Sequence, residues 1–289
     1  MKLARALVII PFFAFAALPL GWLTLTSFKS YEDTITADAK WVPWSDTAEA
    51  HAEGSAKFAA SLDAYRGLSK PVAGTPRDFY HYLGNSVMIG VLSTLAAVCL
   101  GTLCAYGFSR FRVPGSKDWL FFILSTRFLP PLAVVVPVLV MYRSFSLENT
   151  HLGLILLYTS FNLSLAVWLM KGFIDEIPRA FEEAALVDGY SRLSAFIRVI
   201  VPQAATGMAV TAVFCLISSW NEFGFAMTLN NYEAKTVPVY FAGLQGNIDG
   251  VPWPQIAAGM MIFVAPIVLF TVLVRKHLLR GVTFGTIKQ

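Results

Sequence analysis

The chain has 289 residues, of which 56% are hydrophobic and only 14% charged, with a mean hydropathy of +0.61 and a formal net charge of +4. Soluble domains carry about 45–50% apolar and about 25% charged residues, so this composition excludes an ordinary soluble globule and points to a set of membrane spans. The basic residues form short clusters at the ends of apolar runs, not a patch interleaved with exposed aromatics, which reads as membrane topology and argues against nucleic acid as a partner.

A span needs about 17–25 mostly apolar residues. Taken in chain order, six runs qualify: 6–28, 84–108, 118–142, 151–171, 204–229 and 255–275, with five or seven as the neighbouring counts. The first has a basic start (Lys2, Arg5), but its apolar stretch outruns the roughly 7–15 residues of a signal-peptide core. It also lacks a small-x-small site before Lys29 and is read as an uncleaved helix.

Residues 29–81 come next, polar and of mixed charge, with Trp41, Pro43, Trp44 and Pro71. Two readings stay open for this segment: a small cap with Ala-rich helical content around 46–66, or a tethered loop. Arg127 and Pro130-Pro131 interrupt the third run, and Asn162 and Ser164 the fourth. Arg110, Arg112, Lys117, Lys171, Arg179, Arg192, Arg198, Arg275 and Arg280 fall on the same side as Lys2 and Arg5, which predicts both termini on the cytoplasmic face. The expected fold is all-α, one polytopic domain over 1–289.

Cys99, Cys104 and Cys215 lie inside apolar runs at no metal-ligand or redox spacing and are read as buried thiols. His51, His81, His151 and His277 are scattered, so no metal site is indicated.

The most informative stretch is the cytoplasmic segment 174–203. Pro178 suits a helix's first turn, where its missing N–H is no loss. Glu182 and Glu183 sit near the positive end of the helix dipole. Gly189 can take the left-handed conformation that ends a helix. A second helix is expected from Ser191 to Val201, where Pro202 leads into the next span. The segment therefore reads as a helix–turn–helix presenting Phe181, Leu186 and Val187, either to a partner or to lipid headgroups.

Glu183-Ala184-Ala185, three residues, Gly189, nine residues and Val199-x-Val201-Pro202 resembles the loop shared by ABC importer permeases: EAA, three residues, G, nine residues, I-x-L-P. The chain departs from it only in carrying valine at both aliphatic positions. Ser27-Phe28-Lys29, Asn85-Ser86, Ala105-Tyr106, Arg110-Phe111, Pro130-Pro131, Trp168, Lys171-Gly172-Phe173 and Trp220-Asn221-Glu222-Phe223 resemble the carbohydrate-uptake branch. That branch is typified by the smaller permease of the maltose importer. The tail Arg280-Gly281, Gly285 and Lys288 is similar too, although Gln289 stands where that branch ends in glycine.

The resemblance implies a type I ABC importer permease fold of six transmembrane helices in a bacterial inner membrane. It also implies a coupling helix that enters a cleft on an ATP-hydrolysing subunit, with Glu182, Glu183, Ala184, Ala185, Asp188, Gly189 and Pro202 as the coupling residues. The partners it implies are two ATP-binding subunits, a second, homologous permease forming a heterodimer, and a periplasmic solute-binding protein meeting the outer loops, including 29–81. ATP and Mg would be held by the ATPase subunits. No cofactor is expected in this chain, which lacks a G-x-x-x-x-G-K-[ST] phosphate loop.

Charged groups inside spans normally face protein or water. From the cytoplasmic start of their spans, Arg127 is expected roughly 13 Å deep and Glu222 roughly 27 Å, too far apart to pair, each with its own partner. Ser219, Trp220, Asn221 and Glu222 offer hydroxyl, indole, amide and carboxylate groups suited to a sugar path. The alternative for them is interhelical hydrogen bonding. Rival readings of the whole chain are an ion-coupled carrier built around Glu222, an ABC permease for a non-sugar solute, and a membrane enzyme, for which no catalytic set stands out.

Overall fold

The computed structural model describes residues 2–36, 38–44, 55–72, 75–230, 232–245 and 250–283. Gly285, Lys288 and Gln289, and the first part of the Ala-rich stretch after Trp44, lie outside the described residues.

The chain divides into two compact units. One comprises 1–83 with 237–266, the other 84–236 with 267–289. The first unit begins with α1 (Lys2–Thr26), whose Phe12, Phe13 and Phe15 are more than two-thirds exposed, as a lipid-facing helix requires. Beyond it come α2 (Tyr31–Ile35), the strands β1 (Val42–Trp44) and β2 (Lys57–Ala59), and α3 (Asp63–Gly67). The strands pair in parallel, with Val42 opposite Lys57 and Trp44 opposite Ala59. Phe58 turns inward and is fully buried.

The core of this unit is aromatic. Phe79 and Tyr82 open α4 (Phe79–Arg110) and meet Tyr240 and Phe241 of α12 (Val237–Leu244), with Tyr82 stacked on Tyr240 at 4.9 Å. The last helix, α13 (Trp253–Thr283), contributes its first part, as far as Pro266, to this unit.

The second unit is built on α4, α7 (His151–Asp175) and α10 (Val201–Trp220). The closest pairing is between α7 and α10, and Ala97, Val98, Ala166 and Cys215 are buried where α4, α7 and α10 meet. Gly101 lets α4 approach: a Cβ there would lie 2.6 Å from the Ala166 Cβ and 3.0 Å from its carbonyl carbon. Within a bilayer, where apolar surface gives helices little reason to prefer one another over lipid, such close backbone packing supplies much of the association.

Five described helices are long and apolar enough to cross a membrane: Ile9–Thr26, Phe79–Arg110, His151–Asp175, Arg192–Trp220 and Trp253–Arg275. The third run of the sequence is not a straight span. It forms α5 (Ser116–Ser125), a 3₁₀ turn (Thr126–Phe128) and α6 (Pro131–Ser144), bent by 95° at the break. The cause is local. Pro130 is extended (φ −61°, ψ 126°), and Pro131 can only start a helix because it has no N–H to continue one. The count is six if the bent pair is one span.

The fifth run also departs from expectation. Its helix stops at Trp220, and α11 (Gly224–Leu229) starts after a break at 221–223.

Candidate functional site

The break after α10 organises an intramembrane cavity. Asn221 closes α10, and the Glu222 carboxylate turns forward to cap α11. It accepts hydrogen bonds from the N–H groups of Phe225 (2.8 Å) and Ala226 (3.1 Å), and the Tyr158 hydroxyl donates to it at 2.6 Å. These two N–H groups would otherwise be unpaired at the start of a helix. The charge of Glu222 is thus met by the helix end and a phenol.

Asn162 of α7 is almost fully buried and holds the other side. Its amide donates to Ser219 Oγ (2.8 Å) and to the Cys215 carbonyl (3.3 Å). Ser219 Oγ also lies 3.2 Å from Ser93 Oγ of α4, so one polar chain links α4, α7 and α10. Arg127, in the 3₁₀ turn, donates to the Phe161 carbonyl (3.1 Å), to Asn162 Oδ1 (3.4 Å) and to Ser218 Oγ (3.1 Å). No salt bridge reaches it among the described residues.

Together Arg127, Tyr158, Asn162, Ser218, Ser219 and Glu222, with Phe161 and Phe225 as apolar walls, line a cavity of about 210 Å³. Guanidinium, hydroxyl, amide and carboxylate groups thus share a cavity with the aromatic side chains of Phe161 and Phe225.

This arrangement revises the sequence reading. Arg127 and Glu222 do have separate partners, but they line one cavity, the arginine from the bent segment and the glutamate from the break. Ser219 and Glu222 line the cavity. Trp220 does not: it is buried with its ring beside Gly90. Asn221 is exposed, and its amide donates back to the Ile217 carbonyl. Ser164 bonds within its own helix. Tyr158 is a cavity residue that apolar run length hides.

The second candidate region is the segment after α7. Here α8 (Arg179–Val187) begins after Pro178 and ends in a Schellman motif. Tyr190 N–H donates to the Ala185 carbonyl, Gly189 N–H donates to the Leu186 carbonyl, and Gly189 takes φ +88°. Ser191 then caps α9 (Arg192–Ala195), and a π turn (Phe196–Ile200) leads into α10. In that turn Val201 N–H reaches back five residues to Phe196, an accommodation made just before Pro202, which has no N–H to offer.

One face of α8 is bolted down. The Arg110 side chain donates to Glu182 Oε2 (2.9 Å) and to the carbonyls of Ile177 (2.8 Å) and Ile174 (3.2 Å). Tyr106 donates to the other Glu182 oxygen, and Arg179 donates to the Ser109 carbonyl at 2.9 Å. Glu182 and Ala185 are buried. Glu182 therefore fastens the helix from within and is not a surface contact.

The outward face carries Phe181 (52% exposed), Glu183, Ala184, Val187 (87%), Asp188 and Gly189. Leu193 and Ile197 are exposed beyond the turn.

The polytopic helical architecture, the cavity among its spans and the firmly held amphipathic α8 are those of a membrane protein with a polar path and an outward-facing helix. Residues 97–284 match the family described as binding-protein-dependent transport system inner membrane component. The chain is 32% identical to the trehalose transport system permease protein SugB of Mycobacterium tuberculosis, over 95% of this chain and 93% of that one. It is 31% identical to the trehalose/maltose transport system permease protein MalG of Thermococcus litoralis, over 80% and 83%. A bacterial ABC transporter involved in import of the acidic polysaccharide alginate has a chain of the same fold (TM-score 0.74, 20% identity, 95% of both chains). The chain belongs to the inner-membrane permease family of binding-protein-dependent transport systems, and its relatives are transport subunits rather than enzymes.

Proposed function

We propose that the chain forms half of the translocation path of an ATP-driven importer for a sugar or sugar-like solute such as a polyol or glycerol ester. In this reading it pairs with a second, homologous permease. It receives solute from a periplasmic binding protein and takes its driving force from two ATPase subunits, which hold the ATP and Mg. Both termini then face the cytoplasm. Sugar is favoured by the hydroxyl, amide and aromatic lining of the cavity and by the names of the relatives.

The observation that carries the reading is the two-faced α8. Its inner face is locked to α4 by a buried salt bridge, and its outer face leaves Val187 and Phe181 exposed and available to a partner. A force on α8 would pass to α4, whose Ser93 lies 3.2 Å from the cavity residue Ser219.

The test is ATPase activity of the assembled complex with loaded binding protein, for wild type and Gly189→Asp. At φ +88° an aspartate is strained, and open space around the glycine places the new charge on the docking face. The expected result is loss of stimulation with the membrane subunits still assembled. Unchanged stimulation would remove α8 from the coupling path.

A further inference from the structure

Just beyond the end of α1, in the first unit, a cavity of about 290 Å³ is lined by Trp22, Thr26, Lys29, Asp33, Lys40 and Trp253. Its polar groups are unevenly satisfied. Asp33 and Lys40 neutralise each other at 2.6 Å, both nearly inaccessible, and Ser30 also donates to Asp33. Lys29 is 97% buried, since only 3% of its surface is exposed. Among the described residues its ammonium has no hydrogen bond or salt bridge, and its contacts are the Trp22 ring at 3.9 Å and the Phe58 ring at 5.4 Å. Thr26 Oγ, on the same wall, is buried and also has no hydrogen-bond partner.

A buried cation without an acceptor is costly, and ring faces return only part of that cost. Burial lowers the pKa of Lys29, partly offset by the nearby Asp33, while Lys40 lowers it further. Asp38 at the rim is exposed and solvated, so it does not discharge the interior. Among the described residues the cavity therefore holds one cation, Lys29, without a hydrogen-bond acceptor, beside two indoles. Its volume is just below that of typical ligand pockets, about 300–1,000 Å³, and fits a small solute.

We propose that this cavity is a second binding site, separate from the membrane cavity, for a carboxylate-bearing solute of monosaccharide size. Lys29 holds the carboxylate, and the indole of Trp253 supplies an apolar wall for the ring. The proposal does not depend on the importer reading.

The experiment uses the full chain in lipid nanodiscs, with glucuronate as probe and binding read by calorimetry and ligand-observed NMR. Glucuronate should bind saturably, and its neutral amide and glucose should bind weaker by roughly tenfold or more, because each lacks the charge-assisted hydrogen bond. Lys29→Met should lose binding, Lys29→Arg should retain much of it, and Trp253→Ala, which leaves the cation in place, should weaken it several-fold. Ser218→Ala in the membrane cavity should leave it unchanged. The proposal is overturned if wild type binds no glucuronate, if the amide binds equally well, or if Ser218→Ala and not Trp253→Ala reduces binding. The amide comparison needs no variant, so it decides the matter even if Lys29→Met fails to fold.

Discussion

Arg110 and Glu182 are 72 positions apart, yet each has a side chain about 5% exposed, and they meet at 2.9 Å while the Tyr106 hydroxyl donates to the other carboxylate oxygen. Removing one member of a buried pair leaves the other charged and unpaired, at a cost of about 3–5 kcal/mol. Arg110→Met should therefore lower the melting temperature of the purified protein substantially, and Glu182→Gln, which keeps acceptor and shape, should cost less than Glu182→Ala. An unchanged melt for Arg110→Met would show that the pair is dispensable. Asp33 gives a pH-dependent counterpart. Burial pushes its carboxyl up, but hydrogen bonds from Lys40 and Ser30 and the charge of Lys40 outweigh this and hold it below the ordinary carboxylate value. A depressed folded-state pKa stabilises the protein above the unfolded pKa, and the gain is lost as pH falls through the folded value. Thermal melts of wild type against pH should fall on the acid side, and Asp33→Asn should flatten part of that slope. At this scale the sequence was only half legible. Glu182 and Glu183 look equivalent as neighbours, but successive residues on a helix point about 100° apart, and which one faces inward depends on Arg110, far away in the chain.

At the scale of elements, the apolar runs located the helices because lipid demands continuous apolar length. The same criterion is blind to breaks, since a helix that stops and restarts scores as one run. The run 204–229 hid the break at 221–223, although Asn221-Glu222 ahead of Gly224 carried a capping signal inside an apolar context. The run 118–142 hid a 95° bend that Pro130-Pro131 announced. These two breaks bring Arg127 and Glu222 to one cavity, so the site was less legible than the fold. They also separate two roles for Glu222. As a cap, its carboxylate is engaged by Phe225 and Ala226 N–H. Glu222→Gln retains an acceptor and should preserve uptake to within a few-fold. Glu222→Ala leaves buried donors unpaired and should cost about 1–3 kcal/mol, measured as a lowered melting temperature. Abolition of uptake by Glu222→Gln with an unchanged melt would instead favour an ion-coupled carrier.

At the scale of the whole molecule, the decisive question is where energy enters. The segment 174–203 was legible to a useful degree because its turn chemistry is local: Gly189 adopts the left-handed conformation its position requires, and Ser191 caps the next helix, α9. Its partner was not legible from composition, since an exposed apolar helix beside a membrane can equally rest on lipid. The two occupants predict different chemistry at Val187, which is 87% exposed. In a chain whose Cys99, Cys104 and Cys215 are replaced by alanine, Val187→Cys should react with a membrane-impermeant maleimide in inside-out vesicles and not in right-side-out ones. Trp44→Cys, on β1 and 43% exposed, should show the opposite sidedness. Co-assembly with the ATPase subunits should then slow the Val187→Cys reaction by about tenfold or more, because a docked side chain is desolvated at the centre of an interface. Lipid contact would give slow labelling that does not change on assembly. Equal reactivity with and without the ATPase subunits would mean that α8 does not seat in them, and the transmission route from α8 through Arg110 to α4 would have no input.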